Sequence, residues 1–164
     1  MRSILSASSL TWTPLIVIAP DHYPYGLTKK ELNERSETDR SNKFENYHTT
    51  LIMYNPTIET QVIDKVVSSI DIVPTLYNLF GLDYDSRLVM GRDIFSEEEH
   101  IVILSDRSWI TDKGTYNSVK GKFKAFKGQT ADDDYVKKIN NIVKKRFSMS
   151  ALILDNDYYK KVGL

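Results

Sequence analysis

Two short runs of continuous apolar residues stand out first. Leu15-Ile-Val-Ile-Ala19 is stopped by Pro20, and Thr50-Leu-Ile-Met-Tyr54 is closed by the turn dipeptide Asn55-Pro56. His100-Ile-Val-Ile-Leu104 is a third run of the same kind. Such β-branched runs predict strands buried on both faces, as in a parallel sheet. A different period begins after Ser69. Ile72, Leu76, Leu79 and Phe80 recur at helical spacing, with Ser69 as N-cap, Asp71 near the positive end of the dipole and Pro74 in the first turn. Gly81 is the expected stop. Trp109-Ile110 and Thr115-Tyr-Asn-Ser-Val119 flank Asp112-Lys113-Gly114 and predict a hairpin. Strict alternation over Lys122-Phe-Lys-Ala-Phe-Lys127 predicts a half-exposed strand beside it.

Asp132-Asp-Asp134 opens a helix with Val136, Ile139, Ile142, Val143 and Phe147 on one stripe, and residues 150 to 162 read as one more helix. The polar segment from residue 28 to 43 reads as a surface helix or loop. The order predicts an α/β protein: helices on a mostly parallel sheet, a small antiparallel unit, then C-terminal helices. Ligands of such sheets sit outside the carboxyl ends of the strands, which directs attention to the residues just past Ala19.

Composition narrows the function. The 164 residues hold 22 basic and 22 acidic side chains, a balance that argues against nucleic acid as the main partner. The charge is unevenly spread, with ten basic and three acidic residues between 113 and 147. That region suits anionic lipid headgroups or an anionic polymer, or is an ordinary solvated face. Cysteine is absent, which excludes thiolate catalysis, disulfides and cysteine zinc sites. No run reaches the ~18 apolar residues of a membrane span. The stretch after Arg2 is broken by Ser6, Ser8, Ser9 and Pro14 and lacks a small-x-small cleavage site, so it is not a convincing signal peptide.

Directly after the first strand come Asp21 and His22. A carboxylate and an imidazole are both ligands for divalent metals such as manganese or zinc. Past a strand end the backbone turns, here eased by Gly26, so both side chains can converge on one ion. Taken alone, the dipeptide reads more readily as a turn-capping histidine beside a solvated acid. His48 and His100 read as surface histidines, and Asp71, Pro74 and Thr75 as helix-start residues. Gly91-Arg92-Asp93 reads as a turn, with Arg92 pairing a carboxylate. No Ser-His-Asp spacing or glycine-rich phosphate loop rises above noise.

Three segments together resemble a family. Val17-Ile-Ala-Pro-Asp-His-Tyr-Pro-Tyr-Gly26, Ile70-Asp-Ile-Val-Pro-Thr-Leu-Tyr-Asn-Leu-Phe-Gly-Leu82 and Met90-Gly-Arg-Asp-Ile-Phe95 look like the C-terminal part of the sulfatase-like lipoteichoic acid synthase family, within the alkaline phosphatase superfamily. Trp109-Ile-Thr-Asp112 through Asp155-Asn-Asp157 continues the likeness. The resemblance implies a partial alkaline-phosphatase-like α/β/α sandwich over residues 15–164, preceded by an atypical segment, 1–14. It implies a divalent metal held in part by Asp21 and His22, manganese foremost, with zinc, magnesium or calcium as alternatives. It implies a phosphoglycerol lipid or a phosphate or sulfate ester as substrate, and a membrane-anchored, extracellular setting. The family's threonine nucleophile has no counterpart among these residues. The isolated chain is therefore expected to be inactive, and self-association through an exposed sheet edge is expected. The alternative is a non-catalytic remnant that binds metal, lipid headgroups or a partner chain.

Overall fold

The computed structural model describes residues 14–40 and 42–162. The expected N-terminal segment, 1–14, lies outside this range except for Pro14. The chain divides into two compact units. One is drawn from the chain up to Asp64 with Thr75–Tyr84, the other from Lys65–Pro74 with the chain from Asp85 onward.

In the first unit, strand β1 (Ile16–Ile18) pairs with β2 (Ile52–Tyr54). The short helices α1 (Lys29–Glu34) and α2 (Lys43–Asn46) lie between them in sequence. Helix α1 starts with a capping box: the Thr28 hydroxyl accepts from the Glu31 N–H while the Glu31 carboxylate accepts from the Thr28 N–H at 2.8 Å. These backbone and hydroxyl bonds from Thr28 hold the Glu31 carboxyl below its ordinary range. Helix α2 is capped by Asn42, whose side chain accepts from the Phe44 N–H. Helix α3 (Ile72–Leu79), whose residues from Thr75 onward belong to this unit, ends as Gly81 predicts. Gly81 has φ 62°, and the N–H groups of Leu82 and Gly81 donate to the carbonyls of Tyr77 and Asn78 at 2.8 and 3.0 Å, closing a left-handed glycine cap.

In the second unit, β3 (Val102–Ile103), β4 (Trp109–Thr111), β5 (Gly114–Asn117) and β6 (Lys122–Ala125) form one sheet in chain order. Helix α4 (Asp133–Asp155) packs on it, and α5 (Tyr158–Val162) comes after it. The register Trp109↔Tyr116↔Phe123 stacks three aromatic residues across neighbouring strands of one face. Ile139 and Val143 of α4 close over Trp109 and Ile101, with Val136, Ile142 and Phe147 packed alongside. This is the stripe predicted from the sequence. The α4 N-cap is Asp132, whose carboxylate accepts from the Tyr135 N–H at 2.7 Å.

Four expectations are corrected. The described strand pairs are all antiparallel, so the mostly parallel sheet is not formed. Between β3 and β4 the reason is length: five residues join them, whereas a parallel pair needs a crossover of a dozen or more. The apolar runs at β1 and β2 are not buried on both faces. Ile16, Ile18, Ile52 and Tyr54 lie 47–56% exposed, because each strand of this two-stranded ribbon buries only its alternate side. The N-cap before α3 is Ser68, not Ser69, and a 3-10 turn over Ser69–Asp71 leads into the helix. The two C-terminal helices divide at Asn156 rather than near residue 148. Ser148 and Ser150 are tolerated inside a helix, and no Gly or Pro interrupts it there.

Among the described residues, no helix is long and apolar enough to cross a membrane. The 23-residue α4 is long enough, but Lys137, Lys138, Lys144, Lys145 and Arg146 make it too polar.

Candidate functional site

β1 delivers the chain to Pro20, which cannot continue the ladder, and the bend beyond it presents Asp21 and His22 side by side. Asp21 Oδ1 lies 3.6 Å from His22 Nε2. Both side chains open to solvent, at 89% and 47% exposure. His22 Nδ1 lies 2.7 Å from the Tyr23 carbonyl. A carbonyl only accepts, so Nδ1 donates, and in the neutral ring Nε2 then keeps its lone pair.

That arrangement places two acceptor atoms, a carboxylate oxygen and an imine nitrogen, side by side on the open edge of the bend. Two ligand bonds of ~2.0–2.2 Å to atoms this far apart would subtend roughly 110–130°, which suits a tetrahedral or trigonal ion. The hydrogen bond from Nδ1 to a backbone carbonyl is the outer support typical of a metal-binding histidine. The donor chemistry of the pair fits a divalent cation, for which it would supply two ligands. Among the described residues, no group of three or more His, Asp or Glu side chains gathers around any point. The remaining donors of a full site would have to come from elsewhere.

Aromatic rings frame the pair. Tyr25 stacks on the His22 ring with centroids 4.3 Å apart and planes 21° apart. Tyr23 meets Tyr25 edge-on at 4.6 Å and Tyr47 edge-on at 5.3 Å. The loop bearing Tyr47 is fastened by Arg40. Its Nη1 donates to the carbonyls of Glu45 and His48 at 2.5 and 2.6 Å, and its Nε donates to Ser36 Oγ at 2.7 Å. His48 is a surface histidine, as expected, 3.5 Å from the Glu45 carboxylate. The tyrosine cluster was not read from the sequence. The available signal was the aromatic-dense stretch His22-Tyr-Pro-Tyr25 together with Tyr47.

The start of the second motif segment and the Met90–Phe95 segment meet in the second unit around Asp71. Its Oδ2 accepts from Ser68 N at 2.8 Å and from Ser68 Oγ at 3.3 Å. Its Oδ1 accepts from the Arg92 N–H at 2.8 Å. Asp71 is thus a helix-start residue, as read, and also the joint between that helix and the Met90–Asp93 turn. Arg92 pairs with Glu98 at 2.6 Å and donates to the Glu99 carbonyl at 3.2 Å, so the expected carboxylate partner is present. His100 corrects the sequence reading. It is 7% exposed rather than on the surface, with Nδ1 3.9 Å from Asp71 Oδ2. Burial lowers the Arg146 guanidinium from its ordinary range, as does the nearby Arg92 charge, while Asp71 opposes them. Tyr135 donates its hydroxyl proton to Glu99 and sits 2.8 Å from the Thr111 hydroxyl. Burial, then the bond to Glu99, drives its phenol well above the usual tyrosine range.

No family model matches the chain. Among curated proteins it is similar to Lipoteichoic acid synthase 2 of Bacillus subtilis (strain 168), with 29% identity over 162 aligned residues. The match covers 91% of this chain and 24% of that protein, so the chain spans about a quarter of the relative's length. The likeness read from the three motif segments is thereby borne out as a resemblance to the lipoteichoic acid synthase family.

Proposed function

We propose that this chain is the C-terminal, metal-ligand-bearing portion of a sulfatase-like phosphoglycerol transferase that acts on phosphate or sulfate esters. The observation that carries the reading is the Asp21–His22 pair at the end of β1, with its acceptor atoms 3.6 Å apart, in a chain similar to a lipoteichoic acid synthase over 91% of its length. In this reading the fold belongs to an alkaline-phosphatase-like domain, and the protein works outside the cell, anchored by segments beyond these residues.

Asp21 and His22 would hold the cation, manganese foremost. A bound divalent ion polarises a phosphoryl oxygen and favours ionisation of a coordinated hydroxyl. Asp21 contributes charge toward that site, and His22 contributes a neutral nitrogen donor. Neither is assigned as the nucleophile. No described residue is assigned that role, and the isolated chain is expected to turn over no ester.

The test is a chimera in which these residues replace the matching segment of Lipoteichoic acid synthase 2. The chimera is expected to make polymer in the presence of manganese. His22→Ala in the chimera should cut the rate by at least about a hundredfold, in line with the loss of a metal ligand. An active chimera indifferent to His22→Ala and Asp21→Ala would remove the basis of the proposal.

A further inference from the structure

We infer that Tyr25 is a positioning residue for the Asp21–His22 pair. It holds the imidazole in the one orientation and tautomer that presents Nε2, lone pair outward, beside the Asp21 carboxylate. The inference rests on reading that pair as a cation-holding pair.

An imidazole on an exposed bend has two freedoms that spoil a ligand. It can flip about its Cβ–Cγ bond, which swaps a carbon for a nitrogen at the binding edge. It can also shift its proton between Nδ1 and Nε2. The 2.7 Å contact from Nδ1 to the Tyr23 carbonyl fixes the proton, but only while the ring lies in the plane that reaches that carbonyl. The Tyr25 ring supplies the plane: it lies 4.3 Å from the imidazole and nearly parallel to it. Tyr25 is itself braced edge-on by Tyr23, and Tyr23 by Tyr47. The residues that steer His22 therefore sit on its own bend and on the loop clamped by Arg40. Tyr25 is 67% exposed, so little of its ring serves to fill a core. Its aromatic partners are His22 and Tyr23, the two residues that fix the imidazole plane and its Nδ1 contact.

The experiment compares the full chain with Tyr25→Phe and Tyr25→Ala. Nitrogen-15 NMR of the imidazole reads the His22 tautomer without metal, at a pH above the ordinary histidine range. A His22→Gln sample identifies the signals among the three histidines. The wild type and Tyr25→Phe should show the Nδ1–H form with ring-current-shifted His22 protons. Tyr25→Ala should lose the shift and mix the two tautomers, with an unchanged melting temperature. Titration with Mn2+ alone should then give about tenfold weaker binding for Tyr25→Ala, and no change for Tyr25→Phe. An Nδ1–H tautomer and proton shifts unaltered by Tyr25→Ala would overturn the inference. If the wild type fails to bind Mn2+, the cation reading of the pair falls, while the tautomer comparison still decides the role of Tyr25.

Discussion

Replacing Gly91 with alanine should unfold the second unit or lower its melting temperature by more than about 10 °C. A Cβ at this position would sit 1.9 Å from the Ile70 carbonyl oxygen, 2.4 Å from its carbon and 2.9 Å from the Asp71 Cα. All three are backbone atoms of the segment that opens α3, so none can swing aside. The backbone of Gly91 is not in the left-handed region, and the obstacle is space alone. Relief requires moving residues 70 and 71 away from the turn, which also pulls Asp71 off the Arg92 N–H. Overpacking commonly costs ~1–3 kcal/mol, and losing a buried carboxylate bond adds ~1.5–3 kcal/mol. For a unit of this size each kcal/mol lowers the midpoint by about 4–8 °C. Thermal melts by circular dichroism decide it. A melt within about 2 °C of the wild type would show that the two motif segments do not press together as described.

Trp109→Ala should cost about 3–5 kcal/mol, the range for deleting a fully buried aromatic side chain. Trp109 is 0% exposed. Tyr116 stacks on it at 5.3 Å, Phe123 lies at 5.6 Å, and Tyr135 meets it edge-on at 6.3 Å. Its Nε1–H donates to Asn140 Oδ1 at 2.9 Å, tying β4 to α4. Deletion leaves a cavity between sheet and helix and strands the Asn140 oxygen. Trp109→Phe keeps most of the packing and loses the hydrogen bond, so it should cost only about 1–2 kcal/mol. Urea unfolding of both variants measures the difference. Equal losses for the two would mean that the hydrogen bond, not ring packing, dominates at this position.

The sequence was most readable where one residue punctuates the backbone. Pro20 ends β1, Gly81 ends α3 and Asp132 opens α4, each for a steric or capping reason that acts locally. The α4 stripe was readable because five apolar residues repeat at helical spacing against a polar background. Strand direction was not readable, since an apolar run carries no mark of which neighbour it will pair with. Leu15–Ala19 looks like a strand buried on both sides, yet β1 leaves Ile16 and Ile18 exposed on a two-stranded ribbon. His100 was misplaced for a different reason. The preceding Glu97-Glu-Glu99 suggests a solvated loop, but Arg92 and Tyr135 engage Glu98 and Glu99, and His100 turns inward toward Asp71. At the candidate site, the pair was visible from its position after a strand. The stack that orients it was not, because it depends on how the bend folds back on itself.

Nuclear magnetic resonance of the histidine ring protons during a Mn2+ titration tests the central claim most directly. Bound Mn2+ broadens signals according to distance, and the three histidines occupy separate places in the fold. His22 should broaden first, at concentrations that leave the exposed His48 and the buried His100 sharp, and Asp21→Ala should shift that response to at least about tenfold higher Mn2+. Broadening of His22 and His48 in parallel, or a response unchanged by Asp21→Ala, would contradict a cation held between Asp21 and His22.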